Sequence, residues 1–245
     1  MRLIRVYVEA PLAPGARAAA IGTAALHITR VLRLGAGDPV TVFNGDGSDY
    51  PATITALRGA RIEVEVLDRV PARPESPLVL TLVQGIARGE RMDLIVQKAT
   101  ELGAVAIQPV LTARSVVRLD AKAAGRKLAH WRAIAIAACE QCGRARLPAV
   151  AAPLPLARWL ARPAPDPCLR LQLSVDARES LVTAAAGSRA IELLIGPEGG
   201  LDDEEREAAA HAAYRPCSLG PRVLRTETAA VAALALLQGV AGDLR

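Results

Sequence analysis

Ile195-Gly196-Pro197-Glu198-Gly199-Gly200-Leu201 decides how this 245-residue chain folds. Its first residue closes Ala190 to Ile195, an apolar run of buried-strand length, and it precedes Asp202-Asp203-Glu204-Glu205, acids grouped as at a helix N-terminus. A strand that ends in a glycine-rich turn and opens a helix predicts an open α/β sheet, with a ligand taken at the carboxyl ends of its strands. The glycines let backbone approach a ligand closely, and Pro197 stiffens the turn. The loop does not have the form of a phosphate cradle: it lacks G-x-G-x-x-G and G-K-[ST], and Glu198 would set a carboxylate beside the phosphates. An uncharged adenosine or a cationic sulfonium tolerates that carboxylate better, although a bare glycine-rich turn can also be purely structural.

Working outward, a second irregular segment, Leu219-Gly220-Pro221-Arg222-Val223-Leu224-Arg225-Thr226-Glu227-Thr228-Ala229, leads from another strand end into a last helix over Thr226 to Val240. That helix is apolar on nearly every face, which predicts burial between layers or between subunits. Thr226 or Thr228 is expected to cap it. Arg225 and Glu227 border apolar surface and need solvent or partners; a cation there could hold an RNA phosphate or a base oxygen. Upstream, Leu78 to Ile86, Ala106 to Val110 and Cys168 to Leu173 read as strands, and Arg88 to Leu102, Lys122 to Gly143 and Asp202 to Ala213 as helices. Alternating β and α segments predict a mostly parallel sheet.

The N-terminal part is different. Leu3 to Val8, Pro39 to Phe43, Asp49 to Thr55 and Ala60 to Val66 are short β-like runs, and Asn44-Gly45-Asp46-Gly47 is a hairpin signal, so a small β-barrel is expected. Ile21 to Leu34 interrupts it with His27, Arg30 and Arg33 at helical spacing. Asp68 to Pro77, with three prolines and no periodicity, reads as a linker. The domains expected are therefore residues 1–70 and 75–245.

A formal charge of +5, carried by Arg far more than Lys, suits a polyanion, although a GC-rich coding bias would enrich Arg as well. One Phe, two Trp and three Tyr are too few for a surface that grips RNA mainly by stacking bases. Trp131 reads as a core residue before a base platform. No apolar window is long enough to span a bilayer and Met1 to Arg5 has no signal-peptide core, so a cytoplasmic protein is expected. Of the four cysteines only Cys139 and Cys142 have ligand-like spacing, with no second pair; no metal is expected.

The two C-terminal motifs, together with Gln97-Lys98-Ala99-Thr100-Glu101-Leu102-Gly103, Arg114-Ser115-Val116, Glu140-Gln141-Cys142-Gly143-Arg144 and His27-Ile28-Thr29-Arg30-Val31-Leu32-Arg33, resemble the RsmE family of 16S rRNA uridine-N3 methyltransferases, in the SPOUT superfamily. The likeness spans essentially the whole chain. Two departures stand out: Cys142 where the pattern has Ser, and Ala113 where it more often has an acid. The resemblance implies a PUA-like β-barrel followed by a SPOUT domain with a trefoil knot. It also implies a homodimer and an S-adenosylmethionine site at Leu173, Ile195, Gly196, Pro197, Glu198, Gly199, Gly200, Leu219, Gly220, Arg222, Val223, Leu224 and Thr228. The implied substrate is 16S rRNA or the 30S subunit, gripped by Arg2, Arg5, His27, Arg30 and Arg33 in the barrel and by Lys98, Arg114 and Arg144 beyond it. Arg225 is expected to stabilise the uridine anion or clamp a phosphate, and Glu227 to orient it or accept the N3 proton; an internal Arg225–Glu227 ion pair is the structural alternative. A methyltransferase for another nucleotide, and a non-catalytic RNA-binding assembly protein, are the competing functions.

Overall fold

The computed structural model describes residues 4–21, 25, 28, 34–115, 120–163 and 167–244. These fall into two compact units, Met1–Glu75 with Ile136–Leu147, and Ser76–Ala135 with Pro148–Arg245. The expected RNA contacts Arg2, His27, Arg30 and Arg33 lie outside the described residues.

The first unit is a β-sheet of β1 (Arg5–Tyr7), β2 (Arg17–Ile21), β3 (Pro39–Phe43), β4 (Ser48–Arg58) and β5 (Arg61–Val66), in the order β1-β3-β4-β5-β2, with β6 (Val70–Pro71) paired to β4. The alternation in β5 does what its period requires: Ile62, Val64 and Val66 are buried, with Val42, Tyr50 and Ile54 in the same cluster. β3 and β4 are antiparallel across the expected hairpin, where Gly45 and Gly47 take φ of 93° and 92°. Asp46 accepts from the Ser48 amide at 2.8 Å and from the Tyr50 hydroxyl at 2.6 Å, which locks that turn. β2 was not expected, because Arg17-Ala18-Ala19-Ala20-Ile21 has no β-branched residue before Ile21; it is a strand by virtue of pairing with β5 along its whole length. Among the described residues β1 and β2 do not pair, so the sheet is curved but open.

The second unit is an α/β domain. β7 (Val79–Gly85), β8 (Ala106–Leu111), β9 (Ala149–Val150), β10 (Leu154–Pro155), β11 (Leu169–Leu173), β12 (Ala190–Ile195) and β13 (Arg215–Cys217) form one sheet, and every pairing in it is parallel. The order β10-β8-β7-β12-β11-β13 places β12 between β7 and β11, and β9 pairs with β8. Helices α1 (Glu90–Glu101), α2 (Ala121–Cys142), α3 (Leu156–Leu160), α4 (Leu181–Ala185), α5 (Asp203–His211) and α6 (Thr226–Ala241) connect the strands, and α2 from Ile136 onward clusters with the first unit. β12 is buried on both faces, as its unbroken apolar run requires: Ile191, Leu193 and Ile195 belong to one core cluster and Leu194 to the other. The exception is Glu192, 2% exposed, whose carboxylate pairs with Arg170 and Arg162 and accepts from the Tyr214 hydroxyl. A buried charge persists only with partners of this kind. Trp131 is a core residue, 1% exposed, with its indole N–H donated to Asp93 at 3.2 Å. The expected fold class is thus the one observed: a parallel α/β domain preceded by a curved β-sheet domain.

Candidate functional site

Three loops leave the carboxyl ends of neighbouring parallel strands. Residues 172–176 lie at the end of β11, 195–201 follow β12, and 219–229 follow β13 and run into α6. They enclose one cleft of about 630 Å³, within the range usual for small-molecule sites. Leu173, all six residues from Ile195 to Gly200, and Leu219, Gly220, Arg222, Val223 and Leu224 line it, as do Arg225 and Glu227. Thr228 does not; it is exposed on the first turn of α6.

The glycine turn is shaped by sterics. A Cβ on Gly196 would come within 3.0 Å of the Gly200 backbone, and Gly200 itself takes φ +67°. The turn therefore curls back on itself only with glycine at both positions. It is also pinned from beneath. Thr226 does not cap α6 with its side chain: Arg225 is the N-cap residue and makes no side-chain cap. The Thr226 hydroxyl instead donates to the Gly196 carbonyl at 2.8 Å and accepts from the Gln84 amide at 3.0 Å, so it ties β7, the glycine turn and α6 together. Both side chains are buried, where such bonds are expensive to lose. Asp202 and Glu205 form the capping box of α5, and Glu205 reaches further to accept from the Ala113 amide at 2.7 Å. Arg114 follows with its guanidinium donated to the Gly199 carbonyl at 3.1 Å.

The electrostatics differ from expectation at Glu198. Its carboxylate is not free to meet a ligand: it accepts from the Arg88 amide at 2.9 Å and pairs with Arg91 at 2.8 Å. Burial pushes its pKa up, but the Arg88 N–H, a second backbone hydrogen bond and the Arg91 guanidinium outweigh burial and hold it below the ordinary value. Arg91, in the first turn of α1, also stands 3.7 Å from Glu227, and a carboxylate beside it on each side raises its pKa. The Arg225–Glu227 ion pair is therefore absent, and Arg225 is exposed with no ion-pair partner among the described residues. Glu227 is 14% exposed in its side chain, and its Oε2 is buried without a hydrogen-bond donor. Arg91, Gln84 and Thr226 were missed as site residues. Their signal was available only in Arg91, a cation in a helix first turn, where the dipole favours anions.

The expected RNA cations divide. Arg5 pairs with Asp49, donates to the Arg144 carbonyl at 3.0 Å and lies over the Phe43 ring. Arg144 pairs with Glu75 at 2.6 Å, and Lys98 with Glu101 at 2.9 Å. Arg114 is exposed beside the cleft. Cys139 is buried, and its thiol pKa is raised by a hydrogen bond with Cys142 and by burial. Among the described residues no group of His, Cys, Asp or Glu is arranged to hold a metal, and no helix is long and apolar enough to cross a membrane.

Residues 74–238 match the family model for an RNA methyltransferase domain, and residues 22–67 that for an RNA methyltransferase PUA domain. The ribosomal RNA small subunit methyltransferase E of Synechocystis is 37% identical over 224 residues, covering 89% of this chain and 72% of its own. The protein of the same name from Bacillus subtilis is 32% identical over 218 residues, covering 86% and 85%. The crystal structure of a ribosomal RNA small subunit methyltransferase E from Neisseria gonorrhoeae bound to S-adenosyl methionine superposes with a TM-score of 0.90 at 36% identity, covering all of both chains. With the cleft at the ends of β11, β12 and β13, these likenesses place the chain: it belongs to the RNA methyltransferase family, among the ribosomal RNA small subunit methyltransferases E.

Proposed function

We propose that this chain methylates N3 of a uridine in 16S rRNA, in the free RNA or the 30S subunit, with S-adenosylmethionine as donor. The observation that carries the reading is the three-loop cleft, in a fold shared with a relative described as bound to S-adenosyl methionine. The cleft suits that donor on its own terms. Its walls combine apolar side chains such as Leu173, Leu219 and Leu224 with backbone from two glycine-bearing turns. Glu227 lines it, and one of its carboxylate oxygens, Oε2, is buried without a donor. S-adenosylmethionine, when bound, supplies a methyl group activated on a sulfonium.

The chain's own residues meet the two other needs of the reaction. Backbone of Ile195 to Gly200 and of Leu219 to Leu224, with Leu173, holds the adenosine part and so places the methyl group, because rigid placement removes much of the entropic barrier. Glu227 Oε2 accepts the N3 proton of the uracil imide. Arg225, a cation with no ion-pair partner among the described residues, faces the negative charge that then spreads to O2 and O4, or holds the adjoining phosphate. Arg114 joins it on the RNA side. Arg5, Lys98 and Arg144 would first have to release Asp49, Glu101 and Glu75. The barrel residues Arg2, His27, Arg30 and Arg33 complete the proposed grip.

The active form is proposed to be a cytoplasmic homodimer joined through α6, which turns one face to α1 and α4 and leaves Leu236 and Val240 exposed on the other. Two measurements test the function. Calorimetry should detect one S-adenosylmethionine site per chain, and mass spectrometry should find one N3-methyluridine when 16S rRNA from a strain lacking the native enzyme is treated with this protein. A methyl group on another atom would overturn the uridine-N3 reading, and absence of donor binding would overturn the enzymatic one.

A further inference from the structure

Arg91 is oddly placed for an ordinary surface cation. It sits in the first turn of α1, where the helix dipole favours negative charge, beside Glu90 and Asp93. Two carboxylates from elsewhere in the chain nevertheless converge on it: Glu198 of the glycine turn on Nη1 at 2.8 Å, and Glu227 of α6 on Nε at 3.7 Å. Different atoms of one rigid guanidinium thus meet two of the three loops that build the cleft, and Arg91 itself lines that cleft. The other charged residues lining it are Asp176, Arg206, Arg222 and Arg225; Arg206 pairs with Asp203, and the two salt-bridge contacts made by Glu198 and Glu227 are both to Arg91. Glu227 turns one oxygen toward Arg91 and leaves the other buried without a donor.

We infer that Arg91 is a positioning residue: anchored by Glu198, its guanidinium holds Glu227 so that the second carboxylate oxygen stands ready for an N–H donor on the substrate. This rests on the proposed role of Glu227 as acceptor of the imide proton. Arg91 touches neither reacting atom; it acts through Glu227. Its contribution therefore belongs in kcat and depends on the Glu227 carboxylate being present.

The test compares Arg91→Ala, Arg91→Lys, Glu227→Gln and the double variant Arg91→Ala/Glu227→Gln, with kcat and both KM values measured on undermethylated 30S subunits. Melting temperatures serve as the folding control; for the two Arg91 variants, whose side chain is 42% exposed, Tm should move by no more than about 3 °C. Arg91→Ala is expected to lower kcat by about 100-fold, the lower end of what a general base supplies, with the KM for S-adenosylmethionine changed less than about threefold. Arg91→Lys keeps the charge but cannot engage both carboxylates with separate atoms, and should recover part of the rate. The double variant should be no slower than Glu227→Gln alone, because residues that act as one unit are not additive. A rise confined to the donor KM, or multiplicative losses in the double variant, would overturn the proposal by making Arg91 a direct ligand contact. If Glu227→Gln is slow but Arg91→Ala is not, only the positioning role falls; if Glu227→Gln keeps full kcat, the reading of Glu227 falls and takes this one with it.

Discussion

Glu198 lines the cleft, but its charge is taken up within the chain. A carboxylate in the glycine turn disfavours a bound phosphate, and here it is also held by the Arg88 amide and by Arg91. The consequence is thermodynamic. A carboxyl held below its ordinary pKa in the fold stabilises the fold at pH above the ordinary carboxylate range, and that stabilisation fades as pH falls through the ordinary value toward the lowered one. With the side chain 29% exposed, the effect is at most about 1 kcal/mol. Urea unfolding of wild type and Glu198→Gln should therefore differ by a constant amount near neutrality and converge under acid; a difference that grows as pH falls would show that the pair does not stabilise the fold. Thr226 and Gln84 were illegible for another reason. Nothing local marks a threonine as the bond between a strand 142 residues earlier and a turn 30 residues earlier, because that geometry exists only once the sheet has formed.

At the scale of elements, the legible ones were those whose burial imposes a period or a run: β3 and β12 match their expected ranges, as does β5 within a residue. The illegible ones are short or made by pairing. β2 is largely alanine, β6, β9 and β10 span two residues each, and α3 and α4 five each, too short for a helical period to show. The trefoil knot that the family resemblance implies has no signature in periodicity at all. What an element does to the site is clearest at β7. It ends at Gly85, where an added Cβ would lie 2.5 Å from Pro197 Cδ and from the Pro197 nitrogen. Backbone cannot yield as a flexible side-chain tip can, so Gly85→Ala should cost about 1–3 kcal/mol by overpacking and push the glycine turn off its strand. The expected readings are a lower urea midpoint and a donor Kd weakened by about tenfold or more. Unchanged affinity in the folded variant would mean that the turn does not depend on its seat against β7.

At the scale of the whole molecule, net positive charge was a weaker guide than its distribution. Arg5, Arg144 and Lys98 are all cations, but each already has a carboxylate, and those internal pairs of the first unit, Arg5–Asp49 and Arg144–Glu75, read as structure. Hydropathy was the better guide at α6. The helix is apolar on nearly every face, yet only Thr226, Ala230, Ala233, Leu234, Leu237 and Gln238 are buried within one chain, while Leu236 and Val240 stand 42% and 40% exposed. An apolar helix that is half covered predicts a second surface to cover the rest, and the proposed two-fold dimer would supply it with the same face. Two-fold symmetry also sharpens the test, since a charge placed on that face enters the interface twice. Leu236→Arg should convert a species of about twice 25.7 kDa into one of 25.7 kDa in light scattering at micromolar concentration. Ile21→Arg, at a residue 68% exposed in the first unit, should leave the mass unchanged. A wild-type protein already monomeric at that concentration, or a Leu236→Arg protein that keeps the doubled mass, would remove α6 as the dimer contact.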